Sequence, residues 1–302
     1  MAKIPFRALN GVLLIDKARG VSSNKTLQTA RFAYRARKAG HTGTLDPFAT
    51  GLLPVCFGEA NKYSRWLLDA DKTYCFTAVL GQQSTTGDTE GDISIVDESP
   101  TVSERQLCQA ASHFLGEIEQ IPPKFSAIKI GGQRAYKLAR EGKHFSIPSR
   151  RVHIHKLSLS LADNKLTGVT RVSKGTYIRT LVEDIANYLG TVAYCSDLRR
   201  LQIANLVNEA QSRVMHTIAD IDALPGEAER DTLLLPMDLL CHQFPPQTIL
   251  STHWDMLIRG RQTCIDSDNN GIVRLYIDDK FCGLGQVDQG RLKAFRLLNT
   301  GY

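Results

Sequence analysis

The stretch GHTGTLDPFATGLLP, residues 40–54, holds a single carboxylate, Asp46, among glycines, prolines and apolar residues. Asp46 precedes Pro47, which biases it toward extended backbone. Gly43 and Gly51 allow sharp bends or the close approach of another segment. Such a stiff loop can present one acid in a cleft. On spacing alone, a tight turn with a capping aspartate is the simpler interpretation, so the surrounding chain must decide.

Two regular elements are predicted before this loop. The apolar run 11–17 predicts a short buried strand. Ser22 or Ser23 is placed to cap a helix, and the basic residues of 35–38 are expected at its C-terminal end, where the helix dipole favours cations. These cations can equally contact phosphate, and the pattern does not separate the two roles.

After the loop, residues 72–81 alternate in the manner of a half-buried strand, with Tyr74 on one face. The acidic, glycine-containing span 85–99 predicts a surface loop. Ser103 and Gln106 form a capping box that opens a helix. Two strands are predicted within residues 151–173.

Residues 175–190 give the clearest helical pattern in the chain. Apolar side chains repeat at helical spacing, and Gly190 is placed to end the helix. Arg179 lies in the first turn, off the apolar stripe. A cation there opposes the helix dipole, which indicates an acidic partner elsewhere in the fold.

Charge is unevenly distributed along the 302 residues, although the net charge is only +6. Residues 124–151 hold eight basic residues against Glu141 alone, a local charge of +7. Residues 216–240 hold six acids against Arg230, a local charge of −5. This asymmetry favours one basic surface for a polyanion such as nucleic acid. A solvated basic loop is the plainer alternative.

The seven cysteines are scattered and include no CxxC pair, which argues against a disulfide framework and for a reducing cytosol. The apolar run 11–15 is too short for a signal sequence or a membrane span, so we expect a soluble, cytoplasmic protein. His153 and His155 share a strand face at metal-ligand spacing. With no third ligand nearby, a surface pair is expected and no metal site is predicted.

Five motifs occur together and in order: LLIDKARGVSSN, GHTGTLDPFATGLLP, IPPKFSAIKIGGQRAY, SKGTYIRTL and LRRLQ. In this combination the chain closely resembles the bacterial TruB-type tRNA pseudouridine-55 synthases. The resemblance covers about residues 11–201 strongly and the C-terminal end more loosely. One departure is IANL (residues 203–206), where the family commonly has a glycine and an aromatic residue.

This resemblance implies an α+β fold with a mixed, largely antiparallel sheet, flanking helices and an RNA cleft. The implied domains are a catalytic domain over residues 1–240 and a small C-terminal β module, PUA-like, over 245–302. Within the first domain, a basic insertion at about 120–151, the thumb, is expected to grip RNA. The implied partner is the T stem-loop of tRNA, bound by a monomer.

The reaction implied is the isomerisation of one uridine to pseudouridine, which needs no cofactor and no metal. Asp46 corresponds to the essential carboxylate, and attack on the base, attack on the sugar and assistance of an elimination all stay open. Arg179 corresponds to the arginine that pairs with it. The other implied site residues are Tyr74, which packs on the base; Tyr177 and Leu198, which line the uracil pocket; Lys17, which supports the site; His41, which takes part in base flipping; and Lys124, Lys129, Arg134 and Arg140 of the thumb, which bind RNA.

Two other functions remain possible from the residues. One is an RNA-binding protein that assists tRNA folding, with catalysis secondary, as the basic thumb and the C-terminal module suggest. The other is a glycosidase-like hydrolase that uses Asp46. It ranks last because such enzymes normally need a second carboxylate, and the loop offers only one.

Overall fold

A computed structural model describes residues 5–98, 100–207, 211 and 213–299. The small sheets and the two large ones are built from strands found in the following chain order: β1 (Gly11–Lys17), β2 (Ala39–His41), β3 (Thr50–Phe57), β4 (Lys72–Leu80), β5 (Gln82–Ser84), β6 (Ile93–Ile95), β7 (Gly116–Gln120), β8 (Lys129–Ile130), β9 (Gln133–Arg134), β10 (Arg150–Ala162), β11 (Lys165–Val172), β12 (Ala193–Ile203), β13 (Pro246–Thr248), β14 (Thr263–Cys264), β15 (Gly271–Ile277), β16 (Lys280–Asp288) and β17 (Arg291–Leu297).

The helices flank these sheets. In chain order they are α1 (Ser23–Ala33), α2 (Arg65–Asp69), α3 (Glu104–His113), α4 (Ala135–Arg140), α5 (Ile178–Tyr188), α6 (Ile218–Ala223), α7 (Glu227–Asp231) and α8 (Ser251–Ile258), with short 3₁₀ turns at Gly58–Tyr63 and Met237–Cys241.

The larger sheet has eight strands in the order β1-β3-β12-β4-β11-β10-β7, with β2 paired to β3 beside this path. Every pairing in it is antiparallel except that of β12 with β3, which is parallel and places Arg200 beside Gly51. The predicted mixed, largely antiparallel α+β fold is confirmed. Strand β12 is central in this sheet, although the sequence was not expected to form a strand there.

Helix α5 covers one face of the sheet with the stripe expected from its spacing. Leu181, Val182 and Ile185 are buried and belong to a core that also contains Phe76 and Leu166 of the sheet. The helix ends at Tyr188, and Gly190 follows it in the left-handed conformation with φ +81°. Packing of α5 on the sheet fixes the position of Arg179 in its first turn.

The thumb leaves the sheet and returns to the same place. Strands β7 and β10 pair directly, with Arg150 opposite Gln120, so residues 121–149 form an excursion from one sheet edge. It contains the β8–β9 hairpin and α4. The basic segment that the resemblance implies as an insertion thus projects from the edge of the sheet.

The second sheet has five strands in the order β13-β15-β16-β17-β14 and forms the predicted C-terminal β module. It packs against the first part of the chain. The hydroxyl of Tyr63 donates to the carbonyl of Arg296 at 3.0 Å, and the ring of Trp66 meets that of Phe244 at 4.9 Å.

Two local predictions need correction. Helix α1 is capped by Ser22 as expected but ends at Ala33, so the basic residues of 35–38 lie beyond its last turn. Arg35 instead adopts φ +49° and forms an ion pair with Glu227 at 2.6 Å. The span 85–99 is not only a surface loop, because Asp88 within it is 2% exposed.

Candidate active site

The Asp46 loop, residues 42–52, is held by its own backbone and by the β1–α1 turn. The amide of Ala49 donates to the carbonyl of Asp46 at 3.1 Å and closes a turn. The hydroxyl of Ser23 donates to the carbonyl of Leu45 at 2.9 Å and accepts from its amide at 2.8 Å. At Gly51, φ is +94° and a Cβ would stand 2.3 Å from the carbonyl oxygen of Arg200, so only glycine fits there.

Lys17 supports the same loop from below. Its side chain is fully buried, and its Nζ donates to the carbonyls of Ala18, Val21 and Pro47 at 2.9, 2.7 and 3.1 Å. Burial lowers the pKa of Lys17 to about 8. This geometry agrees with the supporting role that the resemblance implies for Lys17.

Arg179 supplies the partner of Asp46. Its Nε lies 3.0 Å from Asp46 Oδ2, and its Nη1 lies 3.0 Å from Asp88 Oδ2. The side chain is 3% exposed, whereas that of Asp46 is 32% exposed. Nη1 and Nη2 also donate to the carbonyls of Thr86 and Phe125 at 2.7 and 2.9 Å. Arg179 thus orients Asp46 and leaves that carboxylate open on one side.

Asp88 is a functional candidate that the sequence did not reveal. Its Oδ1 accepts hydrogen bonds from Thr86 Oγ1 at 2.6 Å and from the Glu90 amide at 2.9 Å, while Oδ2 faces Arg179. The site therefore contains two carboxylates around one arginine. Asp46 is still the single acid of its loop, and the second carboxylate comes from a distant segment, with both oxygens of Asp88 already engaged.

Burial is the largest influence on Asp46 and raises the pKa of its carboxyl group above the ordinary value. The negative charge of Asp88 acts in the same direction. Arg179 and Lys17 oppose the rise by favouring the charged carboxylate.

Two cavities meet at the Asp46–Arg179 pair. The Tyr74 cavity, about 350 Å³, is lined by both members of the pair together with Tyr74, Tyr177 and Leu198. Tyr74 is 9% exposed and lies on the central strand β4. The structure therefore brings together five residues that the resemblance implied and places them around one cavity.

Tyr177 occupies the N-cap position of α5 and is fixed from two sides. Its amide donates to Gln120 Oε1 at 2.8 Å and its carbonyl accepts from Gln120 Nε2 at 3.0 Å. The Arg150 guanidinium lies 4.8 Å from the centre of its ring. Tyr177 is thus held rigidly at the mouth of the Tyr74 cavity.

Two further cations line the Tyr74 cavity and were not singled out from the sequence. Arg200 is 1% exposed, and Lys72 is 7% exposed. Lys72 Nζ donates to the carbonyls of Leu67, Leu68 and Ala70 at the end of α2. Burial, aided by the charge of Arg200, lowers the pKa of Lys72 to about 8.

The His41 cavity, about 730 Å³, lies on the other side of the pair between the Asp46 loop, Asp88 and the thumb. His41 lies on β2, and its buried Nδ1 has no hydrogen-bond partner in the described residues. Burial lowers the pKa of His41, and so does Arg200. From the thumb, Tyr136 and Arg140 of α4 line this cavity.

The thumb cations face solvent. Lys124, Lys129, Arg134 and Arg140 are all exposed and form no ion pair within 4 Å of any described residue. Only Arg140 among these four lines one of the cavities just described. The four side chains form an exposed basic surface next to the site.

The rings of His153 and His155 lie 4.6 Å apart between centres and are tilted by 37°, and His155 Nε2 lies 3.2 Å from Asp71 Oδ2. Within the described ranges, no three histidine, cysteine or acidic side chains are grouped as metal ligands.

Of the helices that the structure describes, none has both the length and the apolar character needed to cross a bilayer.

Comparison with known proteins identifies the family. The model of the TruB family pseudouridylate synthase N-terminal domain matches residues 31–178, and that of the tRNA pseudouridylate synthase B C-terminal domain matches residues 179–241. Chromohalobacter salexigens tRNA pseudouridine synthase B is 45% identical over 97% of this chain and 95% of its own. The chain belongs to the TruB family of pseudouridine synthases. The predicted family and enzyme class, an isomerase, are thereby confirmed.

Other TruB family members match to a similar extent. The tRNA pseudouridine synthase B of Neisseria meningitidis serogroup B is 44% identical over 97% of this chain and 96% of its own. Among solved structures, an archaeal box H/ACA sRNP Nop10–Cbf5 complex gives a TM-score of 0.69 at 20% identity, covering 96% of this chain and 86% of that one. A Cbf5–Nop10–Gar1 complex gives 0.67 at 24% identity, covering 91% and 78%. These two structural likenesses concern the fold alone.

Proposed function

We propose that this TruB family member isomerises the uridine at position 55, in the T loop of tRNA, to pseudouridine. The observation that carries the proposal is the Asp46–Arg179 pair, 3.0 Å apart, between a ring-sized cavity and a larger cavity bordered by the thumb. Relatives 42–45% identical to the chain bear the name tRNA pseudouridine synthase B, which supports tRNA as the substrate.

In this reaction the C1′–N1 bond of the nucleotide breaks and a C1′–C5 bond forms, C5 releases its proton, and N1 takes up a proton. Asp46 is the essential carboxylate, acting on the base, on C1′ or through an elimination. Arg179 orients it and favours its charged form. Tyr74, Tyr177 and Leu198 hold the detached ring in the Tyr74 cavity so that it can turn before it reattaches.

The target nucleotide must leave its stack before Asp46 can reach it, at a cost of a few kcal/mol. His41 borders the larger cavity beside Asp46, where it can fill space vacated by the flipped nucleotide. The exposed cations of the thumb contact phosphates and position the RNA without reading its sequence. They are Lys124, Lys129, Arg134 and Arg140.

We propose that the two domains implied by the resemblance have different roles. Residues 1–240 form the catalytic domain, and residues 245–302 form an accessory RNA-binding module. Action as a monomer stays a prediction from the resemblance. A cytoplasmic location stays a prediction from the sequence.

The direct test uses tRNA transcripts carrying uridine tritiated at C5, because C5 loses its hydrogen in the reaction. We expect the protein to release tritium from the transcript and not from one with cytidine at position 55. Asp46→Asn is expected to abolish release while it still binds the RNA. The exposed acid Asp92 provides the control, and Asp92→Asn is expected to stay active. Tritium release from the cytidine transcript would contradict the assignment of position 55 as the modified nucleotide. Release by Asp46→Asn would contradict the role of Asp46.

A second function, assistance of tRNA folding, is favoured by the exposed thumb cations. It requires binding and unfolding of the T loop but not the carboxylate. Accelerated refolding of a misfolded tRNA by Asp46→Asn, at the wild-type rate, would support it. Loss of the effect in that variant would exclude it.

A further inference from the structure

Arg200 ties together the two ends of the Asp46 loop. It lies on β12 and is 1% exposed. Its Nε donates to the carbonyl of Leu52 at 2.7 Å, and its Nη2 donates to the carbonyl of Gly43 at 3.0 Å. These two carbonyls lie on opposite sides of Asp46 in the chain. One guanidinium therefore fixes the loop at both ends.

The third nitrogen of this guanidinium is left for another partner. Nη1 forms no hydrogen bond with any residue that the structure describes, while Arg200 lines the Tyr74 cavity. A Cβ on Gly43 would come into van der Waals contact with Nη1 at 3.4 Å, so the glycine leaves that side of the nitrogen free of a side chain. Nη1 is thus available to a molecule bound in the cavity.

The charge of the Tyr74 cavity is also unusual for a pocket that receives a neutral ring. Lys72, Arg150, Arg179 and Arg200 all line it, against the single carboxylate of Asp46. That carboxylate is already paired with Arg179. The cavity therefore suits a ring that becomes negatively charged during the reaction.

We propose that Arg200 is a catalytic residue that stabilises the uracil anion during the time that the ring is detached. This inference rests on the proposed function. When the C1′–N1 bond breaks, its electron pair leaves with the ring and spreads over N1, O2 and O4. Nη1 donates a hydrogen bond to one of these oxygens. The negative charge also reaches C5 through the conjugated ring, and the pair at C5 then forms the new bond to C1′. C5 gives up its proton, and N1, now free of the sugar, takes up a proton.

The expected effect follows from the general behaviour of fixed donors. Removing one preorganised donor from a site of developing charge lowers the rate by roughly 10²- to 10³-fold. Arg200 is held by two carbonyls before the substrate arrives, so it needs no reorganisation when the charge appears. A donor of this kind acts on the rate more than on RNA affinity.

The test must separate this role from that of holding the loop. We would measure single-turnover loss of the target nucleoside in two RNAs, one with uridine and one with 5-fluorouridine at that position. Fluorine makes the detached ring a more stable anion, which needs less help from Arg200. A displaced Asp46 loop would slow both RNAs equally. Arg199, whose guanidinium pairs with Asp16 at 2.6 Å and does not line the cavity, is the matched control.

For Arg200→Gln we expect an unchanged Kd for RNA and a roughly 10²- to 10³-fold slower reaction of uridine. The loss should be several-fold smaller for 5-fluorouridine. If Arg200→Gln does not fold, Arg200→Lys carries the same comparison with a smaller loss. Arg199→Gln is expected to affect both RNAs to the same small extent.

Equal losses on the two RNAs, or no loss at all, would overturn the role of Arg200. A wild-type protein that converts neither RNA would instead contradict the proposed function. The wild-type reactions therefore keep the two failures apart.

Discussion

The Asp46 loop and the thumb handle charge in opposite ways. Around the loop, charged side chains are buried or half-buried and have fixed partners: Asp46 pairs with Arg179 of α5, and Arg179 pairs with Asp88. In the thumb, Lys124, Lys129, Arg134 and Arg140 are exposed and make no ion pair with any described residue. Buried, paired charges keep one geometry, whereas exposed charges are adjustable and screened by salt.

Arg179 links the two regions. The carbonyl of Phe125, at the base of the thumb, accepts a hydrogen bond from Arg179 at 2.9 Å. Arg179 therefore contacts both the carboxylate that is expected to react and the segment that is expected to deliver RNA. The difference between the regions suggests that the reaction depends on charged groups held in fixed positions. Binding of the RNA depends instead on exposed charged groups whose positions can adjust.

The largest effect should come from removing the arginine at the centre of the buried group. Arg179→Gln leaves Asp46 and Asp88 without their cation, and unpairing a buried charge costs about 3–5 kcal/mol of stability. We expect urea unfolding to show a loss of this size, together with loss of activity.

The double variant Arg179→Gln with Asp88→Asn serves as the control. It removes the buried carboxylate that lost its partner, so part of the stability should return without the activity. A single variant as stable as the wild type would show that the group is not held by paired charge.

The thumb should respond through affinity. Replacing Lys124, Lys129, Arg134 and Arg140 by glutamine removes up to four phosphate contacts. The slope of log K against log salt should then fall by up to about 3, since each contact contributes roughly 0.7–0.9. The rate at saturating RNA should change little. An unaltered salt slope would contradict the assignment of these residues to phosphate binding.

The acid limb of the pH profile should depend on Asp88. Burial raises the pKa of Asp46 and the charge of Asp88 raises it further, so the reactive charged form is lost at a higher pH than for an ordinary aspartate. Asp88→Asn removes that charge and lowers the pKa of Asp46. We expect the acid limb of kcat/KM to move to lower pH, and a shift to higher pH would contradict this account.

The smallest effect concerns Ala204, which follows β12 and has φ +48°. It lies in the IANL segment, where the resemblance implies a glycine. An L-residue in the left-handed region costs about 1–2 kcal/mol, and glycine loses about 0.4–1 kcal/mol through chain entropy. Ala204→Gly should therefore stabilise the fold by roughly 0.5–1 kcal/mol in urea unfolding. A neutral or destabilising result would mean that this turn is not strained.

Much of the fold could be predicted because its pattern is local. The alternation of β4 and the apolar stripe of α5 follow from burial on one face of a strand and a helix. Strand β12 could not be predicted in this way. It carries Arg199 and Arg200 at the centre of the sheet, where arginine is rare, and Arg200 is accommodated by carbonyls that only the folded loop supplies.

The candidate site was predictable in part for a similar reason. Arg179 drew attention because a cation in the first turn of a helix opposes the dipole, and the structure supplies its acidic partners. Asp88 gave no such signal, since an aspartate in an acidic, glycine-containing span normally faces water. Its burial results from a tertiary contact with Arg179 that no local pattern indicates.

The central claim is that the buried, paired charges serve the reaction and the exposed thumb charges serve RNA binding. Its most direct test measures the Kd and the single-turnover rate on the same tRNA for two variants. One is Asp46→Asn, and the other is the thumb variant with four glutamines. Asp46→Asn should keep the wild-type Kd and lose the reaction, whereas the thumb variant should bind weakly and react normally once saturated. Loss of affinity in Asp46→Asn, or a slow reaction of the saturated thumb variant, would contradict the account.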